Sequence, residues 1–95
     1  MLTHIVIFTW NVGTCADQVD DLRRALDDLA AVWSGRATFS HGPDLGFREH
    51  NGDYALVATL ADRAAWDEYQ ADPRHKAIVR EHVTPMQASR LTIQF

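Results

Sequence analysis

The segment YQADPRH places a phenol and an imidazole on either side of a signal for the start of a helix. Asp72 is a favourable N-cap residue, and Pro73 suits the first helical position because its missing N–H is not needed there. His75 then falls in the first turn, where the positive helix end and Arg74 disfavour an imidazolium, although the Asp72 carboxylate opposes both. We expect its pKa to lie below the reference value of about 6.5, so that the neutral ring can act as a general base.

Two other residues could share a pocket with His75. His4 lies on the same predicted strand face as Val6 and Phe8, and a lone histidine on an apolar face is more often a satisfied core residue than a catalyst. Tyr69 precedes His75 by six residues, and its hydroxyl needs a hydrogen-bond partner if it is buried. The residues alone leave two interpretations open. His4, Tyr69 and His75 form a catalytic pocket, or they are packing residues and the His75 ring only fixes the start of its helix.

The other titratable residues give weaker signals. His41 and His50 lie near predicted turns and are expected to be solvated. His75 and His82 share a helix face, but no third ligand at a suitable spacing accompanies them, so the sequence predicts no metal site. Cys15 has no obvious base beside it and is expected to be inert. A Walker loop, a G-x-G-x-x-G motif and a Ser-His-Asp order are all missing.

Length and charge narrow the class of protein. The 95 residues are enough for one small domain, which we expect to span 1–95. The net charge of −4 argues against a nucleic-acid or anionic-membrane surface. A single cysteine excludes an intramolecular disulfide, and the N-terminal apolar run is too short to span a bilayer. We therefore expect a cytoplasmic protein with neither nucleic-acid nor membrane partners.

Apolar periodicity predicts an alternation of strands and helices. Strands are predicted over 2–10, 36–41, 53–60 and 90–95. A first helix follows Thr14 as N-cap and ends at Gly35, and a second helical region begins at Asp62, restarts at Asp72 and ends at Pro85. The order βαββαβ predicts an α+β, ferredoxin-like fold with a four-stranded antiparallel sheet and helices on one face.

The predicted first and third strands are apolar on both faces. In the first strand, Ile5 and Ile7 alternate with Val6 and Phe8. In the third strand, Val57 lies between two apolar residues, so its side chain points to the opposite face from theirs. A solvated antiparallel face would alternate toward polar residues. Because helices can cover only one face, we expect the other to be buried against a second copy of the chain.

Several motifs occur in one register along the chain: THIVIF, the turn GPDLG, the strand DYALVATL, Y-x3-P-x-H and V-x-P at Val83 and Pro85. This ordered set resembles the stress-responsive α/β-barrel, or Dabb, family. The resemblance implies that two ferredoxin-like subunits pack sheet against sheet as a dimeric α/β barrel. Most members of that family have no established activity.

The resemblance also implies a site. A plant polyketide cyclase of the family closes a ring by aldol condensation with neither metal nor organic cofactor, in a cavity between sheet and helices. Its histidine of the first strand and its Tyr and His of the Y-x3-P-x-H segment match His4, Tyr69 and His75, whereas Tyr54 replaces a further histidine. By this resemblance the catalytic residues are His75, His4 and Tyr69. Side chains expected to contact a small apolar ligand are Val6, Phe8, Leu22, Leu26, Phe39, Tyr54, Leu56 and Ile78.

Three functions remain open from the sequence. The first is a cofactor-free cyclase or isomerase for a small apolar carbonyl compound. The second is a non-catalytic dimeric stress protein whose aromatic side chains fill the space between sheet and helices. The third is a monooxygenase acting on haem or forming a quinone, for which Asn11, Trp66 and His75 could be recruited.

Overall fold

A computed structural model describes all residues, 1–95. Its elements follow the predicted order, with one segment of π-helix after the last α-helix. They are β1 (Leu2–Trp10), α1 (Ala16–Val32), β2 (Ala37–Pro43), β3 (Tyr54–Leu60), α2 (Arg63–Ala71), α3 (Pro73–Ile78), the π-helical segment (Val79–Val83) and β4 (Gln87–Gln94). No helix has the length and apolar character that crossing a membrane requires.

The four strands form one antiparallel sheet in the order β2-β3-β1-β4. In this arrangement β1 is central, with Val6 opposite Leu56 of β3 on one side and Thr92 of β4 on the other. The predicted α+β, ferredoxin-like fold is confirmed.

Alternation along the strands explains the core. His4, Val6 and Phe8 are buried on the helix side of β1, while Ile7 between them is 40% exposed. On β3 the buried row begins at Tyr54. These rows pack against α1 and α2 to form a cluster of Val6, Phe8, Leu22, Leu26, Leu29, Trp33, Tyr54, Leu56, Ala58, Leu60, Tyr69, Ile78, Val83 and Met86.

Helix starts were predicted well at two positions and wrongly at one. Asp62 and Asp72 are N-caps, with carboxylates that accept hydrogen bonds from Ala65 N–H at 2.9 Å and Arg74 N–H at 2.8 Å. The N-cap of α1 is Cys15, not Thr14. The Thr14 hydroxyl instead donates to the Asn11 carbonyl at 2.8 Å and closes the preceding turn. The strand bounds also differ, since β2 extends to Pro43 and β4 begins at Gln87.

The helices leave β4 uncovered on their own side of the sheet. Arg90, Thr92 and Gln94 pair with Phe8, Val6 and His4 and therefore face the helix layer, yet all three remain exposed. β4 is an edge strand beside β1, which places these three residues at the margin of the helix layer. An open edge with polar side chains results.

The other sheet face and the loop beside it expose apolar side chains. Leu91 and Ile93 are 74% and 57% exposed, and Phe95 follows them on the same face. In the loop after β2, the side chains of Leu45 and Phe47 are also exposed. This surface, which we call the open sheet face, is too apolar for a face designed for water.

His41 on β2 joins α1 to the sheet. We expected its side chain to be solvated, but it is buried. Its side chain is 6% exposed. Nε2 lies 2.8 Å from Asp27 Oδ1 and Nδ1 lies 2.7 Å from the Tyr54 hydroxyl. Because a carboxylate only accepts, Nε2 carries the proton, and in the neutral ring Nδ1 then accepts from Tyr54. Burial is the main cause that raises the pKa of Tyr54 to about 12. Arg23 lowers this pKa, and Asp27 raises it slightly.

We expect His41→Phe to lower the free energy of unfolding by about 1–3 kcal/mol, because it leaves the buried Tyr54 hydroxyl without a partner. Urea unfolding followed by circular dichroism measures this change. The double variant His41→Phe, Tyr54→Phe removes both polar groups and should recover part of the loss. Equal stability of His41→Phe and the unchanged protein would show that the bridge does not form.

Candidate functional site

A cavity of about 270 Å³ lies between the open edge of the sheet and the helices. It exists because the helix layer stops short of β4. Its walls are His4, Val6 and Phe8 of β1, Trp66 and Gln70 of α2, His75 of α3, Val79 and Val83 of the π-helical segment, and Arg90, Thr92 and Gln94 of β4. Apolar and polar walls therefore meet, as in sites that bind and orient a small molecule. We call this space the edge cavity.

His4 is a buried ring fixed by the edge strand. It is 5% exposed, and its Nδ1 lies 2.9 Å from Nε2 of Gln94. The amide nitrogen can only donate, so Nδ1 accepts and the proton of the neutral ring is on Nε2. Burial lowers the pKa of His4, and Arg90 lowers it further. His4 is therefore a neutral ring with an N–H donor at the cavity.

Tyr69 and His75 lie against one another, with ring centroids 4.4 Å apart. The Tyr69 side chain is completely buried, and neither its hydroxyl nor Nδ1 of His75 has a hydrogen-bond partner. Nε1 of Trp66 is also buried without a hydrogen-bond partner. These three are the only buried side-chain nitrogen or oxygen atoms in the chain that lack one. Buried polar atoms without partners are rare and costly. All three belong to residues in or directly behind the walls of this one cavity.

The pKa of His75 is lowered, as expected, but mainly for a different reason. Burial is the largest cause. Arg90 acts in the same direction, and so does His4 when its ring is protonated. The Gln70 backbone, which approaches the ring without the geometry of a full hydrogen bond, and the Asp72 carboxylate both raise the pKa and so oppose the shift. The prediction from the sequence relied on the end of the helix, whereas Arg90 comes from a distant strand that no local pattern connects with His75. Burial also raises the pKa of Tyr69, so its phenol stays protonated.

Asp72 holds the junction that positions both residues. Its buried carboxylate accepts from the N–H and guanidinium of Arg74 and, at 2.9 Å, from Nε1 of Trp33. The hydrogen bonds with Arg74, and then that with Trp33, outweigh burial and lower the pKa of Asp72 to about 2. A charged cap therefore fixes the break between α2 and α3, with Tyr69 before it and His75 after it.

Only part of the expected site lines the cavity. His4, His75, Val6 and Phe8 do, whereas Tyr69 lies behind the His4 and His75 rings, with centroids 6.4 and 4.4 Å away.

The other six expected ligand contacts do not line the edge cavity. Leu22 and Leu26 lie on α1 and Leu56 lies on β3, and all three belong to the core cluster in which α1 meets the sheet. Phe39 packs on Tyr69, and the Tyr54 hydroxyl is bound by His41. Ile78 packs on the side of α3 that faces α1.

The polar walls, above all Arg90, Thr92 and Gln94, were not predicted from the sequence. Their signal was the segment RLTIQF, in which polar and apolar residues alternate. On the other strands the helix-side face is largely apolar, so a row of polar residues on that face of β4 marks a part of the sheet that the helices do not cover. Recognising it requires the strand order, which brings β4 beside β1.

Other features do not form a second site of this kind. A cleft of about 400 Å³ lies between the loop after β2 and the open sheet face, lined in part by Phe47, Ile7 and Ala55. It lacks the unpartnered buried atoms of the edge cavity. Asn11, considered for a monooxygenase, is exposed at the end of β1 and does not line the edge cavity. No cluster of three His, Cys, Asp or Glu residues could hold a metal ion.

Solved structures show where this fold recurs. A dimeric ferredoxin-like protein of unknown function from Thermobifida fusca is 35% identical, with a TM-score of 0.91 over 99% of this chain and 88% of that one. A dimeric ferredoxin-like protein from Jannaschia is 25% identical, with a TM-score of 0.79 over 99% and 96%. A hydroxynitrile lyase from Passiflora edulis is 17% identical, with a TM-score of 0.82 over 99% and 90%, a likeness of fold alone.

No curated protein matches the chain at a significant level. The family of the Stress responsive A/B Barrel Domain, Dabb, matches over residues 2–95, almost the whole sequence. The fold, the dimeric relatives and this match agree, and the chain belongs to the Dabb family.

Proposed function

We propose that the edge cavity binds a small carbonyl compound and that His75 removes a proton from it without a metal or organic cofactor. The observation that carries this proposal is the group of unpartnered buried atoms, the Tyr69 hydroxyl, His75 Nδ1 and Trp66 Nε1, around one cavity. Because these atoms lie in or behind the cavity walls and are not themselves accessible, a bound molecule meets the other edge of the His75 ring. A closed core would not leave three such atoms together.

The two histidines have complementary roles in this reaction. The neutral His75 accepts the proton from the carbon next to the carbonyl, and the electron pair of the C–H bond moves to form an enolate. The Nε2–H of His4 donates a hydrogen bond to the oxygen on which negative charge develops. Both lowered pKa values favour the neutral forms that these steps need. Tyr69, behind them, holds the His75 ring in place by packing.

The outcome depends on where the proton returns. In an isomerase His75 gives it back at a different carbon. In a cyclase the enolate carbon attacks a second carbonyl of the same molecule, and the alkoxide formed takes the proton from His75. The cyclase is the chemistry that the match of His4, Tyr69 and His75 to the plant enzyme favours. The replacement of its further histidine by Tyr54 removes one group, because the Tyr54 hydroxyl is already bound to His41.

The proton-abstraction step can be tested with acetophenone, a simple ketone, in D2O. We expect the protein to catalyse exchange of its methyl protons, followed by NMR, and His75→Ala to reduce the catalysed rate by about two to four orders of magnitude. The pKa of His75 is lowered, so the rate should be constant near pH 7 and fall as the base is protonated in more acidic solution.

The matched control is His82→Ala, since His82 is outside the edge cavity. Its exchange rate should equal that of the unchanged protein. Equal rates for the His75 and His82 variants, with both folded, would contradict the assignment of His75 as the base.

A non-catalytic dimeric stress or ligand-binding protein is the second candidate. The observation in its favour is the filling of the space between sheet and helices: Trp33 and Phe39 pack on Tyr69 with ring centroids 5.7 and 5.6 Å away. The remaining cavity of about 270 Å³ is just below the range of about 300–1,000 Å³ that is typical of ligand sites. This candidate predicts ligand binding in the edge cavity with no exchange above the rate of the buffer.

We further infer that the chain forms a homodimer through the open sheet face. Its exposed apolar residues, among them Leu91, Ile93 and Phe95, need a cover, and the T. fusca and Jannaschia relatives are described as dimeric. When the same face of a second copy packs against it, the apolar side chains of both sheets are buried in one interface.

Light scattering at micromolar concentration should give about twice 10.7 kDa. We expect Ile7→Asp to dissociate or unfold the dimer, because it places an unpaired carboxylate in an apolar interface at a cost of several kcal/mol. Val32→Asp is the matched control, since Val32 is also half exposed but lies on α1. A monomer for the unchanged protein, or a stable dimer for Ile7→Asp, would contradict this interface.

A further inference from the structure

The edge cavity adjoins a second cavity of about 350 Å³ near the surface. The two share Gln70, His75, Val79 and Arg90 as walls. The second adds Lys76, Arg80 and Thr84. A molecule that reaches His75 from this side passes Arg90, which belongs to both walls.

The charges around this entrance are positive in a protein that is negative overall. The chain has 13 acidic against 9 basic residues, yet no Asp or Glu lines either cavity. Arg90 and Lys76 take part in no salt bridge, and Arg80 has only a long contact of 3.7 Å with Glu81. Unpaired cations grouped at an entrance attract and orient anions.

We propose that the entrance is a carboxylate site, and that the ligand of this protein is a small carbonyl compound that also carries a carboxylate. The guanidinium of Arg90 binds the carboxylate in the two-pronged geometry that arginine offers. Thr92 and Gln94, next along the same strand face, line the edge cavity between that anchor and His4. The rest of the molecule extends along Val6 and Phe8, with its carbonyl at His4 and His75.

This assignment rests on the proposed function for the place of the carbonyl, but the carboxylate site itself does not depend on catalysis. It changes the expected ligand from an apolar molecule to an amphiphilic acid. Arg90 contributes to the lowered pKa values of His4 and His75, which indicates a positive potential in the cavity. A bound carboxylate would neutralise that potential.

Benzoate and benzamide are probes of equal shape that differ in charge. Titration of the intact protein, followed by amide shifts of His75 and Arg90 in NMR, should show benzoate binding about tenfold to a hundredfold more tightly. Arg90→Gln should remove that preference and leave benzamide binding unchanged. Arg24→Gln is the matched control, because Arg24 is an exposed arginine of α1 outside both cavities.

Arg90→Lys keeps the charge but not the planar fork, so it should retain more benzoate affinity than Arg90→Gln. Equal affinities for the two probes, no binding of either, or equal losses in the Gln and Lys variants would overturn the carboxylate site. If the benzoate preference is found while acetophenone exchange is not, the proposed catalysis fails and this site stands. If exchange is found without a benzoate preference, the carboxylate site fails and the proposed catalysis stands.

Discussion

The Asp72 carboxylate is buried, charged and fully bonded, and the edge cavity depends on it. It ends α2, starts α3 and accepts a hydrogen bond from Trp33, the residue that caps the end of α1, so that one group fixes three helices relative to one another. Tyr69 and His75 flank this junction and are pressed together by it. Removing the carboxylate would leave the Trp33 indole N–H without a partner and the start of α3 without a cap, each costing about 1–2 kcal/mol.

The second constraint is that a helix layer of this length covers three strands out of four. The uncovered row of β4 would be a defect if its side chains were apolar, but they are Arg90, Thr92 and Gln94. The result is a cavity with one dry wall from β1 and one polar wall from β4. Burial and the cation Arg90 act together on His4 and His75, which explains why two histidines are held neutral in one place.

Local chemistry made much of this structure predictable, and distant contacts limited the prediction. The element order and the caps Asp62 and Asp72 follow from short-range patterns, and so does the placement of Tyr69 and His75 around one turn. The bridge from Asp27 through His41 to Tyr54 joins α1, β2 and β3, so no local pattern could indicate it. Several of the expected ligand contacts lie in the core beneath α1 and not in the edge cavity. The pattern of a strand shows which residues point inward, but it does not show which of them a helix covers.

The edge cavity keeps His75 neutral and ready to accept a proton. The most direct measurement is a pH titration of its imidazole resonances by NMR, assigned with a His75→Gln variant. The folded protein resists protonation of a buried ring beside Arg90, so we expect the pKa of His75 to lie below the reference value of 6.5. A pKa at or above 6.5 would contradict this, since the ring would then be solvated or closer to a negative charge than it is to the Asp72 carboxylate in this structure.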